Sequence, residues 1–222
     1  MGVFSGPEIA EDGLVLALDA GNTKSYPGTG TTWTDISGNG NTGTLTGGPT
    51  YSSDNGGSID FNGGYAEISS NADFLFGTEE FAMEWWEYFT GGAGYIGHIG
   101  VFQSSTATTP MIWTVSGSFH GYLAGSGWTS VAMSPLSNQW AHYVVTGVTG
   151  NIRFYQNGEL KDTTTWNWSS TSSAANFSIA CGWSQSWQMP GKISAVRVYK
   201  GKSFTEDEVK RNFSALRGRY GI

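Results

Sequence analysis

Apolar residues fall along this chain in short runs, some continuous and some alternating with polar residues, closed by glycine, asparagine and serine. That pattern predicts strands joined by tight turns. Leu14-Val-Leu-Ala-Leu-Asp19 opens the series and Gly21-Asn22 turns it. A short strand is expected over 43–45. Gly57-Ser-Ile-Asp-Phe61 and Tyr65-Ala-Glu-Ile68 follow, separated by an Asn62-Gly63 turn. The heaviest strand is Phe81-Ala-Met-Glu-Trp-Trp-Glu-Tyr-Phe89. Others are expected over 95–102, 111–115, 119–123, 139–148, 152–156, 160–166 and 177–181, with Asn157-Gly158 marking a hairpin. The last strand, 191–200, carries apolar residues on both faces. Ile193, Ala195, Arg197 and Tyr199 share one face and Ser194, Val196 and Val198 the other, so its core-facing side stays open. Beyond it, Thr205 with Glu208 forms a capping box, and Val209, Phe213 and Leu216 recur at helical spacing before Gly218 and Gly221. The chain reads as all-β, a sandwich or jelly roll, with one short C-terminal helix.

Composition agrees. Glycine supplies 33 of 222 residues, and ten Trp, ten Tyr and twelve Phe supply the bulk of a core. Glycine-rich turns between aromatic-rich strands suit a sandwich, and so many aromatics with few charges exclude a disordered chain. Residues 1–12 read as a lead-in and 13–222 as one domain without a linker. The single cysteine, Cys181, allows no internal disulfide and reads as a buried free thiol in a strand. Met1-Gly-Val-Phe-Ser has neither the basic start nor the apolar run of a signal peptide, so synthesis in a cytoplasm is expected. No apolar stretch reaches the length of a membrane span.

The net charge of −7 is unevenly placed. Residues 1–150 hold thirteen acidic side chains and one basic one, Lys24, an acidic body that would repel nucleic acid. Residues 191–222 hold eight basic ones, among them Lys192, Arg197, Lys200, Lys210, Arg211, Arg217 and Arg219. This cluster is a candidate surface for attachment to a partner. The plainer account is a solvated helix end whose cations favour its dipole.

Several stretches together resemble the concanavalin A-like lectin/glucanase superfamily in its laminin-G-like branch. They are Leu14-Val-Leu-Ala-Leu-Asp-Ala-Gly-Asn22 with 25–33, Asp35-Ile-Ser-Gly-Asn-Gly-Asn41, Gly57-Ser-Ile-Asp-Phe-Asn-Gly63, Gln139-Trp-Ala-His-Tyr-Val-Val145, Ile152-Arg-Phe-Tyr-Gln-Asn-Gly158, and 191–199 with the helix after it. The resemblance implies a two-sheet antiparallel jelly roll. The wording of the first half and the tail is similar to versions of this domain in tailed bacteriophages. That implies a non-catalytic virion protein on the capsid, neck or tail surface, in contact with other virion proteins and repeated as a homo-oligomer. The alternative is a carbohydrate-binding module that adheres to a host surface polysaccharide.

Retaining glucanases of the superfamily carry Glu-x-Asp-x-x-Glu, whose outer carboxylates flank one glycosidic bond about 5 Å apart. Only Glu84-Trp-Trp-Glu87 is comparable here. Its glutamates are three apart, on opposite faces of a regular strand, and the aspartate is missing, so no enzyme is expected. His142 reads as a packed strand residue. The resemblance also implies one structural calcium, for which Asp19, Asn22, Asp35, Asn39 and Asn41 are the nearest oxygen donors; Asp35 with Ser37 equally suits a loop that satisfies its own amides. Trp85, Trp86, Trp113 and Trp140 read as core. Trp166, Trp168, Trp183 and Trp187 lie in or beside Ser/Thr/Gly-rich loops, where a ring can stack on a sugar and a neighbour such as Gln185 can hydrogen-bond it. The segment Trp183-Ser-Gln-Ser-Trp187 is the sharpest candidate site.

Overall fold

The structure is a computed structural model that describes residues 8–102, 111–123, 127–148, 150–165 and 176–222. Its strands, in chain order, are β1 (Leu14–Asp19), β2 (Thr32–Trp33), β3 (Gly43–Thr46), β4 (Thr50–Ser52), β5 (Ser58–Asp60), β6 (Tyr65–Ile68), β7 (Phe81–Phe89) and β8 (Ile96–Gly100). They continue with β9 (Met111–Val115), β10 (Ser118–Leu123), β11 (Gly127–Ser130), β12 (Trp140–Val148), β13 (Asn151–Gln156), β14 (Glu159–Thr164), β15 (Phe177–Ile179) and β16 (Gly191–Lys200). One α-helix, α1 (Glu206–Tyr220), closes the chain.

Two antiparallel sheets face each other. One runs β14-β13-β12-β7-β16-β5-β4, with β1 also pairing β16; the other runs β11-β10-β9-β8-β15-β6-β3-β2. Each sheet draws strands from both halves of the sequence, as a jelly roll requires. The Asn62-Gly63 turn forms as expected but joins β5 of the first sheet to β6 of the second, so it is a crossing and not a hairpin. Asn157-Gly158 does make the β13–β14 hairpin, with φ of 53° and 81°, the left-handed pair that matches strand twist.

The core between the sheets takes alternate residues. Met83, Trp85 and Phe89 of β7 and Ala141, Tyr143 and Val145 of β12 meet Ala66, Ile68, Ile99, Ile112 and Ile179 of the opposite sheet. Glu87 shares this face. Its Oε2 accepts from Trp85 Nε1 at 2.7 Å and from His98 Nδ1 at 2.9 Å, so one oxygen of this buried carboxylate is paired.

The undecided face of β16 is settled by a bulge. Ile193 pairs with Glu87 and Ala195 with Trp86, leaving Ser194 as the extra residue. The alternation shifts there, so Ile193, Val196 and Val198 all enter the inter-sheet core while Ala195 and Tyr199 turn outward under the helix.

The outer face of the first sheet is covered by α1. Trp86 stacks on Tyr220 at 4.2 Å and on Phe213 at 5.8 Å. Thr205 and Glu208 form both halves of the capping box. The helix runs through Gly218 and ends at Gly221, whose φ of 71° supplies the left-handed stop. A helical glycine costs about 1 kcal/mol against alanine, which the buried Tyr220 beyond it offsets. Ahead of β1, Ala10 is buried beside Val209, and its amide donates to Asn212 of α1 at 2.9 Å.

Candidate functional site

With α1 over one sheet, the outer face of the other is the surface on which a site can form. Trp113 and Met111 of β9 project there, and His120 of β10 lies against Trp113 with ring centroids 6.1 Å apart. Burial pulls the His120 pKa below its ordinary value, so the ring is neutral at neutral pH. Glu67 of β6 points the same way, its strand neighbours Ala66 and Ile68 being turned to the core.

Across this face runs the segment after β15. Ala180 adopts φ 62°, donates to His98 O at 2.7 Å and accepts from Met189 N at 2.9 Å, which closes residues 180–189 into a compact loop. Within it Trp183–Gln185 makes one 3₁₀ turn, and Gly97 N donates to Trp187 O at 2.7 Å. Two glycines permit the close approach. A Cβ on Gly97 would meet the Cys181 backbone at 2.4 Å, and one on Gly182 would meet the Trp187 ring at 2.6 Å. Gln185 Nε2 donates to Glu67 Oε1 at 3.4 Å, so the loop reaches from β8 across to β6.

The two tryptophans of the loop are not equivalent. Trp183 is 41% exposed. Trp187 is half-buried, lying 6.2 Å from Trp113 and edge-on to Phe102 at 6.4 Å. Its open side carries Tyr95, stacked at 4.7 Å and 18° and itself 47% exposed. Tyr95 and Trp187 are thus a stacked pair, Trp183 is the exposed ring of the same loop, and Gln185 and Glu67 are polar groups joined across the face. Sequence reading placed Tyr95 inside a strand and passed over Glu67. The Gly91-Gly92-Ala93-Gly94 stretch before Tyr95 and the polar position in Tyr65-Ala66-Glu67-Ile68 were the signals available. Trp166 and Trp168 lie outside the described residues. Cys181 is buried as expected, two residues beyond β15 instead of within it, and burial pushes its thiol pKa up to about 12.

The residues considered for calcium have protein partners. Asp35 accepts from Ala17 N, Ser37 N, Ser37 Oγ and Asn41 N, so both oxygens are turned to donors. Asn39 and Asn41 donate to Leu14 O and Val15 O, strapping this loop to the free edge of β1. Asp19 pairs with Arg219 at 2.7 Å, and Asn22 accepts from Lys24 N. Side chains held by N–H donors and a guanidinium do not fit a cage of six to eight oxygens about calcium. They organise the loop.

The basic cluster divides as well. Arg197 is 5% exposed and donates to Glu84 at 2.7 Å, so it is no attachment residue: β16 is central in its sheet and α1 covers it. Glu84 also accepts from His142 Nε2 at 3.2 Å and Asn212 Nδ2 at 3.0 Å. Burial alone would raise the Glu84 carboxyl, but the Arg197 charge and the His142 contact outweigh it and hold its pKa at about 2. Arg219 binds Asp19, Asn55 O, Gly57 O and Ser194 Oγ, tying the helix end to the sheet. Lys200 donates to Ala72 O, and Lys192 sits at the far end of the same strand, roughly 27 Å away at about 3.4 Å per residue. Lys210, Arg211 and Arg217 are exposed on the helix, Arg217 over Phe213 at 5.9 Å.

Glu84 and Glu87 emerge from opposite faces of β7, each fully buried. They cannot flank one substrate bond.

A family model described as concanavalin A-like lectin/glucanases superfamily matches residues 60–210. The chain belongs to this superfamily. No curated protein sequence matches it. Among solved structures, this superfamily member is similar to domain 4 of AbnA, a GH43 extracellular arabinanase from Geobacillus stearothermophilus, solved with arabinotriose: TM-score 0.72, 19% identity, 93% of this chain and 100% of that one. It is similar to the binding domain of Paraclostridial Mosquitocidal Protein 1, with TM-score 0.74, 14% identity and coverage of 91% and 52%. It is also similar to a structure of botulinum neurotoxin type C, whose cell entry depends on interaction with two ganglioside molecules, with TM-score 0.70, 15% identity and coverage of 93% and 52%. The chain therefore spans about half of each toxin chain, and at these identities the likeness is one of fold.

Proposed function

We propose that this chain is a non-catalytic carbohydrate-binding module whose ligand lies on the Tyr95–Trp187–Trp183 surface. The observation that carries the reading is the exposure of two large aromatic side chains, Tyr95 just before β8 and Trp183 in a loop fixed by the hydrogen bonds of Ala180, Met189 and Gly97. Exposed rings on a fixed support present flat apolar faces to the C–H face of a sugar, and Gln185 and Glu67 stand where its hydroxyls need partners. The arabinotriose complex of AbnA domain 4 and the ganglioside dependence of the neurotoxin support the reading by fold. The two buried glutamates of β7 support its non-catalytic half.

Titration of the chain with soluble polysaccharides tests it. Binding is expected to fall about tenfold in Trp183→Ala, a loss of about 1.4 kcal/mol, with the thermal transition kept within about 4 °C. Equal binding by the variant would remove the site.

A place on a bacteriophage particle, with homo-oligomers, is the expectation of the sequence resemblance. Within this proposal the module would bring such a particle to a host glycan, and mass spectrometry of purified particles tests that placement.

A further inference from the structure

No lysine or arginine of this protein lies on a strand of the sheet that carries the aromatic surface, or in the loop across it. The sequence has none between Lys24 and Arg153, and none between Lys161 and Lys192. All eight strands of that sheet, β2, β3, β6, β8, β9, β10, β11 and β15, fall inside these two intervals, as does the whole loop 180–189. The cations stand instead on β13, β14 and β16, after β1, and from Lys202 onward in the tail and α1. On the aromatic side the charged group beside the loop is Glu67, in contact with Gln185, and His120 is held neutral by burial.

An acidic sugar brings a carboxylate or sulfate. Lowering that group onto ring faces, which are themselves electron-rich, strips its hydration and offers no ammonium or guanidinium in return. Glu67 adds like-charge repulsion at contact range. An uncharged sugar meets none of these penalties, and its hydroxyls can donate to the Glu67 carboxylate and to the Gln185 amide oxygen.

From this placement of charge we infer that the site selects uncharged glycans and rejects sialylated, sulfated and uronate-bearing ones. The inference rests on the carbohydrate-binding reading above and adds the ligand class to it.

The test uses the whole chain on an array of neutral oligosaccharides, each beside its sialylated, sulfated or uronate-bearing counterpart, at low and high salt. Each neutral glycan that binds is expected to do so at least about tenfold more tightly than its acidic counterpart. The gap should narrow at high salt, where the repulsion is screened. Glu67→Lys should narrow it at low salt by admitting the acidic member. Trp183→Ala and Tyr95→Ala should weaken binding of the neutral member, which places the discrimination at this surface. Acidic members that bind as tightly as neutral ones would overturn the inference and leave the carbohydrate-binding reading standing. Neutral binding that survives both aromatic variants would overturn it by putting the sugar elsewhere. No binding to either kind would overturn both.

Discussion

Arg197 and Glu84 meet at 2.7 Å between the central strands and the C-terminal helix, in a layer closed to water. The pair has enough partners to survive there. Glu84 takes three donors, one each from β16, β12 and α1, and Asn212 of α1 passes the connection on to Ala10. Because a carboxylate only accepts, the His142 proton sits on Nε2. The network joins both ends of the chain to the middle of the sheet.

Arg197→Leu should therefore destabilise the fold by about 3–5 kcal/mol, because it leaves Glu84 buried without its countercharge. The double variant Glu84→Leu/Arg197→Leu should recover much of that loss. Urea denaturation of the two variants measures the difference. Equal losses in both would mean that packing, not the unpaired charge, sets the cost.

The same carboxylate sets an acid limit. The folded Glu84 pKa is about 2, below the ordinary value of 4.5. A depressed carboxyl contributes stability fully above its unfolded pKa and loses it as pH falls through the folded one. The window is thus from about 4.5 down to about 2, and the contribution is about 3 kcal/mol at most. Denaturation midpoints should decline across that window, and Glu84→Gln should flatten the decline while lowering the plateau. An unchanged slope in Glu84→Gln would assign acid sensitivity to other carboxylates.

The elements around this network were largely legible in the sequence. The capping box, the Asn157-Gly158 hairpin and the strand over 139–148 are each local, and local chemistry fixes them. The face of β16 was not legible. A bulge at Ser194 changes the alternation mid-strand, and its cause lies in distant partners, Gly57 O and Arg219, that bind the Ser194 hydroxyl. For the same reason Arg197 looked like surface: a basic residue in an alternating strand shows its partner only when β7 is laid beside it. The site was half legible. Loop tryptophans mark themselves, but the stacking of Tyr95 on Trp187 joins residues ninety-two positions apart.

That stacking separates stability from binding within one loop. Trp187→Ala removes a ring packed against Trp113, Phe102 and Tyr95, and should cost about 3 kcal/mol or more. Trp183→Ala removes a ring 41% exposed and should stay within about 0.5–1 kcal/mol of the wild type. Thermal scans of the two variants give the contrast directly. A Trp183→Ala loss as large as that of Trp187→Ala would make Trp183 part of the packing and not of the platform.

Gly97 is the last point of leverage on the site, because it is where the loop touches the sheet. Its amide donates to Trp187 O, and the space of its absent side chain is filled by the Cys181 backbone. Gly97→Ala places a methyl group 2.4 Å from the Cys181 carbonyl, so either β8 or the loop must move. Overpacking of this kind costs about 1–3 kcal/mol, and the loop, with less of its own structure, is the element that should yield. Cys181 reports the movement. In the wild type it is buried and its thiol pKa is raised to about 12, so almost no thiolate is present at neutral pH and a disulfide reagent should react slowly. In Gly97→Ala the reaction should speed up by an order of magnitude or more while strand content by circular dichroism is kept, and polysaccharide binding should fall with it. Rapid labelling of the native wild type, at the rate of the urea-unfolded chain, would show instead that the loop does not hold Cys181 closed.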